Sequence, residues 1–237
     1  MPDISVNEKS RRNTYDSITI NGSATYDKEF IASKIKVNGA LKCNSPIKCE
    51  YLECNGTMKF FSDIDVNDLN CDGSMLSKGT NCINISQIYC SGAAKISSDI
   101  TTKIIDINGS FNIVEGGNLT AEKVFCDGSI IVNGNIDADM INSDGFIYAH
   151  KITAKKVYIK TKNEMIPKKI LTHNINFGIQ EIIADEIELV DVKVSKVTGN
   201  NIIIGEKCRI DCIECNGTLH ISKDASVYEI TGNYIEK

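Results

Sequence analysis

Ten cysteines are the most reactive side chains among the 237 residues, and three of them have a spacing known from chemistry. Cys208, Cys212 and Cys215 follow C-x3-C-x2-C, with which radical enzymes hold an iron–sulfur cluster on three thiolates. That motif works from a loop that opens an α/β barrel. A packing role competes with it, because Cys54, Cys71, Cys90 and Cys126 stand at a place that Val37 and Ile107 fill elsewhere, and a free thiol behaves as a small buried hydrophobe. No metal site is expected. Cys208, Cys212 and Cys215 are the residues that would have to supply one. His150, His173 and His220 are far apart, and the chain has no Gly-x-Ser-x-Gly elbow, phosphate-binding glycine loop or His-Glu-x-x-His motif. No catalytic residue and no cofactor are expected. Asp63, Asp65, Asp99 and Asp106 suggest a calcium site, but the nonapeptide of calcium-binding β-rolls is absent and a solvated acidic face is the expectation. The Asn-Gly-Ser/Thr triplets that begin at Asn21, Asn55, Asn108 and Asn216 read as turns.

The elements that position these residues are β-strands. The chain has 38 Ile against 8 Leu, with 17 Gly and 3 Pro. Leucine is normally the commoner core residue of helices, whereas β-branched side chains favour strands. A net charge of −5 without a basic block argues against nucleic-acid binding. The polar N-terminus lacks the apolar core of a signal peptide, and no window resembles a membrane span, so a cytoplasmic protein without direct membrane insertion is expected. The cytosol keeps thiols reduced.

A repeat organises the whole chain. A small polar residue followed by glycine recurs at Gly22, Gly39, Gly56, Gly73, Gly92, Gly109, Gly128 and Gly145, mostly 17 and twice 19 residues apart, and returns at Gly199, Gly217 and Gly232. Counted from each glycine, offsets 2, 4, 8, 10, 13 and 15 are apolar at 28 of 30 places in the five 17-residue units, with Thr102 and Ser143 the exceptions. At 42% hydrophobic content a random draw gives about 13. Two residues two apart share one face of a strand, and the longer breaks between pairs are corners. The expected fold is all-β, a right-handed, three-faced parallel β-helix of about a dozen coils, in one stack or two. Each polar-Gly pair is expected at a corner that needs positive φ. The expected organisation is a flexible tail over 1–16, an N-terminal stack over 17–160, an irregular connection over 161–180, a C-terminal stack over 181–232 and a tail over 233–237.

Runs such as Ile35-Lys-Val-Asn-Gly39 and Ile105-Asp-Ile-Asn-Gly109 resemble the bactofilin family of polymer-forming bacterial cytoskeletal proteins. The stretches from Ala184 to Leu189, Ile202 to Asp211 and Asp224 to Val227 look like the longer, two-part members from Gram-positive bacteria. The resemblance covers nearly the whole chain beyond about residue 17. It implies a scaffold that stacks end to end on copies of itself without nucleotide, with other bactofilin-like or envelope proteins as further partners and a place at the inner face of the membrane. Open terminal coils are strand edges that pair with another chain unless capped. Ile18, Ile20, Ala24, Ala225, Val227 and Ile230 are the residues expected at the apolar end surfaces. The competing reading is a β-helix enzyme of the acyltransferase or carbohydrate-acting type. The glycine interval, in place of six-residue repeats, and the lack of paired carboxylates or a histidine in a shared groove argue against it. A surface adhesin or phage fibre would need export or trimerisation signals.

Overall fold

A side chain at every second position needs only a four-residue strand to present two of them to a core, and the chain is built from such pieces. A computed structural model describes residues 4–8, 14–79, 82–161 and 178–236. Among the described residues every regular element is a β-strand, and no helix is long and apolar enough to cross a membrane. One coil shows the design. The strand Ala40–Cys43 buries Leu41 and Cys43 as the first face. The strand Ile47–Cys54 carries the other two faces, burying Ile47 and Cys49 before a bend and Leu52 and Cys54 after it. The bend is visible in the pairing: Cys49 faces Val66 on the next coil, the following pair is Tyr51 with Asp68, and Glu50 is passed over.

Successive coils pair in parallel and in register. Ile47 faces Ile64, which faces Ile83, so each inward position becomes a column along the solenoid. The first faces form a sheet of 8 strands and the remaining strands a sheet of 15. About a dozen coils at ~4.8 Å each make a rod roughly 55 Å long. A single coil cannot enclose its own apolar residues, and the columns do so jointly. The column Val37, Cys54, Cys71, Cys90, Ile107 and Cys126 is no more than 2% exposed at any point. The two 19-residue units place their extra residues between the first and second faces, after Ser77 and after Ile113, and pairing resumes at Ile83 and Leu119.

Three expectations are corrected. The two stacks are one. Lys151–Lys160 pairs directly with Ile179–Val190, Ile152 opposite Ile182 and Ile159 opposite Leu189, so the ladder crosses an interval of 30 positions without a break. The chain leaves at a corner and re-enters in register, which costs the ladder nothing because the pairing is between strands and not between their connections. Residues 162–177, within the expected irregular connection, lie outside the described residues. Beyond it one coil tightens to 15 positions, Ile182 to Val197, before the spacing widens again to 16, Val197 to Ile213, and 17, Ile210 to Val227, and the strands Lys193–Ile204 and Arg209–Ile221 each run around all three faces.

The N-terminal segment is not simply a tail. Ile4–Glu8 pairs antiparallel with Thr14–Ile20, Ile4 opposite Ile20 and Val6 opposite Ile18. The first coil has no coil beneath it, and this strand pairs with its edge and becomes the outermost strand of the larger sheet. At the other end the ladder continues past residue 232, with Ile235 opposite Thr218.

The corner glycines serve close approach and not left-handed backbone. Among the described glycines, positive φ occurs at Gly79, Gly116 and Gly232, and of these only Gly232 belongs to the polar-Gly series. From Gly39 to Gly145, an added Cβ would instead overlap the carbonyl oxygen of the corner glycine one coil below. Those carbonyls point up the stack, each accepting an N–H from the next coil, as Gly39 does from Thr57 at 2.8 Å. Several of the polar residues beside the glycines also bond across coils. Asn38 Nδ2 donates to Asn21 Oδ1 at 2.8 Å, Asn55 Nδ2 donates to Asn38 Oδ1 at 3.1 Å, and Ser91 Oγ donates to Asp72.

Candidate functional site

The cysteine cluster read from the sequence is not assembled. Cys208 and Cys215 point into the core from different faces, Cys208 Sγ donating to the Leu189 carbonyl at 3.3 Å and Cys215 Sγ to the Asn200 carbonyl at 3.4 Å. Cys212 lies between them, half-buried, in the outward column of Lys196 and Glu229. The spacing arose from two inward offsets with a corner between them. Burial raises the Cys208 thiol above its ordinary range. It pushes Cys43, Cys49 and Cys126 up to about 12, so these thiols stay protonated. Among the described residues, no group of three or more His, Cys, Asp or Glu side chains could hold a metal ion.

Asp63, Asp65 and Asp99 have structural partners. Asp63 Oδ1 accepts the Cys82 N–H at 2.8 Å and Asp99 Oδ1 accepts the Asn118 N–H at 2.7 Å, each tying a lengthened corner to the coil below. Asp65 pairs with Lys48 at 2.7 Å. His150 and His220 are exposed on different coils, and His173 lies outside the described residues.

The ends of the rod differ from each other, and they are the places where the repeat leaves groups without a coil to pair with. At the N-terminal end Ile18 and Ile20 are at most 1% exposed and belong to the core. As end-surface residues they are corrected: they point inward, and the edge of their strand is taken by Ile4–Glu8. Ala24 is half-buried on Ser23–Tyr26, the first strand of the smaller sheet. At the C-terminal end Ala225 and Val227 are half-buried against the core, and Ile230 is 38% exposed. Three residues there were not singled out from the sequence: Tyr228 at 91% exposure, Ile235 at 71% and Tyr234 at 37%. The signal was available for Tyr228, which stands 11 residues after Gly217, where other coils carry Ser33, Glu50, Asn67 and Lys103. Among the described residues no strand pairs with the outer edges of Ser226–Thr231 or Ile235–Glu236.

No protein-family model matches the chain, and no curated protein or solved structure proved similar to it.

Proposed function

We propose that the chain is a structural scaffold of the bactofilin type, which associates end-on through its C-terminal coil, without nucleotide, into oligomers or filaments. The observation that carries this reading is the concentration of Tyr228, Ile230, Tyr234 and Ile235 on a coil whose outer strand edges are unpaired. An apolar end next to free N–H and C=O groups suits a second copy, which supplies both strand pairing and cover. The two ends are unequal, because the larger sheet begins with an antiparallel strand, Ile4–Glu8, and ends with the parallel strands Ser226–Thr231 and Ile235–Glu236. One coil end is small beside the about 1,200–2,000 Å² of a standard interface, so each joint is weak and assembly depends on concentration.

Sedimentation velocity across a range of concentrations, with electron microscopy of the same samples and no nucleotide added, tests this. The expected result is reversible association that Tyr228→Arg with Ile235→Arg abolishes while the far-ultraviolet circular dichroism is retained. A monomer at every concentration and salt refutes it.

A further inference from the structure

One outward column on the third face is polar through Thr19, Lys36, Glu53 and Asn70 and from Tyr89 onward alternates with a period of two coils. In pairing order it reads Tyr89, Asp106, Phe125, Asn142, Tyr158, Glu188, Ile203 and His220, each residue directly opposite the next on the adjacent coil. Large apolar side chains and polar ones take strict turns over eight coils. Packing does not require this, because these side chains point away from the core: Tyr89 is 42% exposed and Ile203 46%, with Phe125 and Tyr158 half-buried. Beside the column runs an open groove of about 510 Å³ at its C-terminal half, walled by Met140, Asn142, Lys156, Tyr158, Glu188 and Ile203.

Adjacent strands lie ~4.8 Å apart, so the three aromatic rings recur about every 9.6 Å along the column. An extended β-1,4-linked pyranose chain has nearly the same rhythm: consecutive rings flip, and every second ring presents the same apolar C–H face. Aromatic rings on alternate coils meet those faces, and the carboxylate or amide on the coil between meets the equatorial hydroxyls of the intervening ring. From this match we infer that the third face binds an extended β-1,4-linked glycan laid along the rod, with Tyr89, Phe125 and Tyr158 as stacking platforms and Asp106 and Asn142 as hydrogen-bonding partners. The inference is independent of the end-on association proposed above.

The test uses the full chain below the concentration at which it self-associates. It is mixed with microcrystalline cellulose, with chitin or with granular starch, and centrifuged beside a sample without polysaccharide that corrects for self-pelleting. The expected result is retention on at least one of the β-1,4-linked polymers and none on the α-1,4-linked starch. Two variants probe the cause. Tyr89→Ala with Tyr158→Ala removes two platforms from the surface and should weaken binding about tenfold or more. Asp106→Phe with Phe125→Asp keeps composition and charge but breaks the two-coil rhythm, and should weaken it similarly; circular dichroism confirms that each variant is folded. No retention on either β-1,4-linked polymer, equal retention on starch, or unchanged binding by the Tyr89/Tyr158 variant overturns the inference. So does a stripe whose loss alters only rod-to-rod association. A monomer that binds cellulose or chitin upholds this inference while refuting the scaffold, which keeps the two failures apart.

Discussion

Replacing Gly56 with alanine separates two explanations of the corner glycines that predict opposite orders of damage. If glycine is there for backbone freedom, Gly116→Ala is the harmful change, because Gly116 has φ +79° and Gly56 lies outside the positive-φ set. If it is there for close approach, Gly56→Ala is the harmful one. A Cβ on Gly56 would lie 2.0 Å from the Gly39 carbonyl oxygen, whereas one on Gly116 has nothing within 4 Å. Relieving the overlap means opening the corner by more than about 1 Å of a ~4.8 Å strand spacing. The bonds across that gap are Thr57 N–H to the Gly39 carbonyl at 2.8 Å, and Asn55 and Gly56 N–H to the Val37 carbonyl at 2.8 and 2.9 Å. Three weakened bonds at ~1 kcal/mol each give a loss of about 3 kcal/mol for Gly56→Ala. Left-handed backbone at an alanine costs only about 1–2 kcal/mol, the figure for Gly116→Ala. Urea unfolding followed by circular dichroism resolves the difference, since at an m-value of ~3 kcal/mol/M the two midpoints differ by roughly 0.5 M. A Gly56→Ala protein as stable as Gly116→Ala, or more so, refutes the close-approach account.

Other consequences can be measured on the same material. Ser77 is fully buried in an inward column between Phe60 and Ile96, and its Oγ has no hydrogen-bond partner, so Ser77→Ala should raise stability by about 1 kcal/mol in the same urea assay. Phe111 is fully buried, and Phe111→Ala should cost about 3–5 kcal/mol, read as a loss of unfolding free energy. With a thiol reagent under native conditions Cys82 should react first and Cys212 more slowly, while the eight buried thiols wait for denaturant; rapid native labelling of Cys43 or Cys49, identified by mass spectrometry, contradicts the burial that raises them to about 12. The Glu53 carboxyl is held below its ordinary range by hydrogen bonds from Lys36, at 2.6 Å, and Asn55. A depressed carboxyl adds stability that is full above its unfolded pKa of about 4.3 and is lost as pH falls through the lower folded value. Lys36→Met should therefore reduce stability at neutral pH and flatten the acid limb of a stability profile below about pH 4. An unchanged acid limb argues against the pairing.

The coil was legible because its inward residues recur at fixed offsets: Leu41, Cys43, Ile47, Cys49, Leu52 and Cys54 name all three faces, and the structure buries every one. Offsets say nothing about what lies between coils, and the misreadings fall there. Gly39 and Gly56 signal a corner equally well under either explanation, and only the position of the carbonyl one coil below decides. The direct pairing of Ile152 with Ile182 was hidden because the intervening residues break the count, although Ile182, Ala184, Ile187 and Leu189 repeat the spacing of Ile152, Ala154, Val157 and Ile159. Ile4 and Val6 alternate over too short a stretch to be told from a polar tail. Cys208, Cys212 and Cys215 misled in the opposite direction, since a ligand motif and a corner flanked by inward cysteines have the same spacing in one dimension.

The hydrogen bonds between coils, such as Ala40 N–H to the Gly22 carbonyl and Ser74 N–H to the Gly56 carbonyl, run along the rod. That direction gives the molecule an unequal mechanical character. A load that bends or compresses the rod is shared by both sheets and by every column of the core. A load that pulls its two ends apart falls on the bonds of one coil at a time, so the terminal coil peels before its neighbour bears the force. Each 17-residue coil that lets go pays out about 60 Å of extended chain. Under tension the rod is a stepwise fuse; under compression it is a strut.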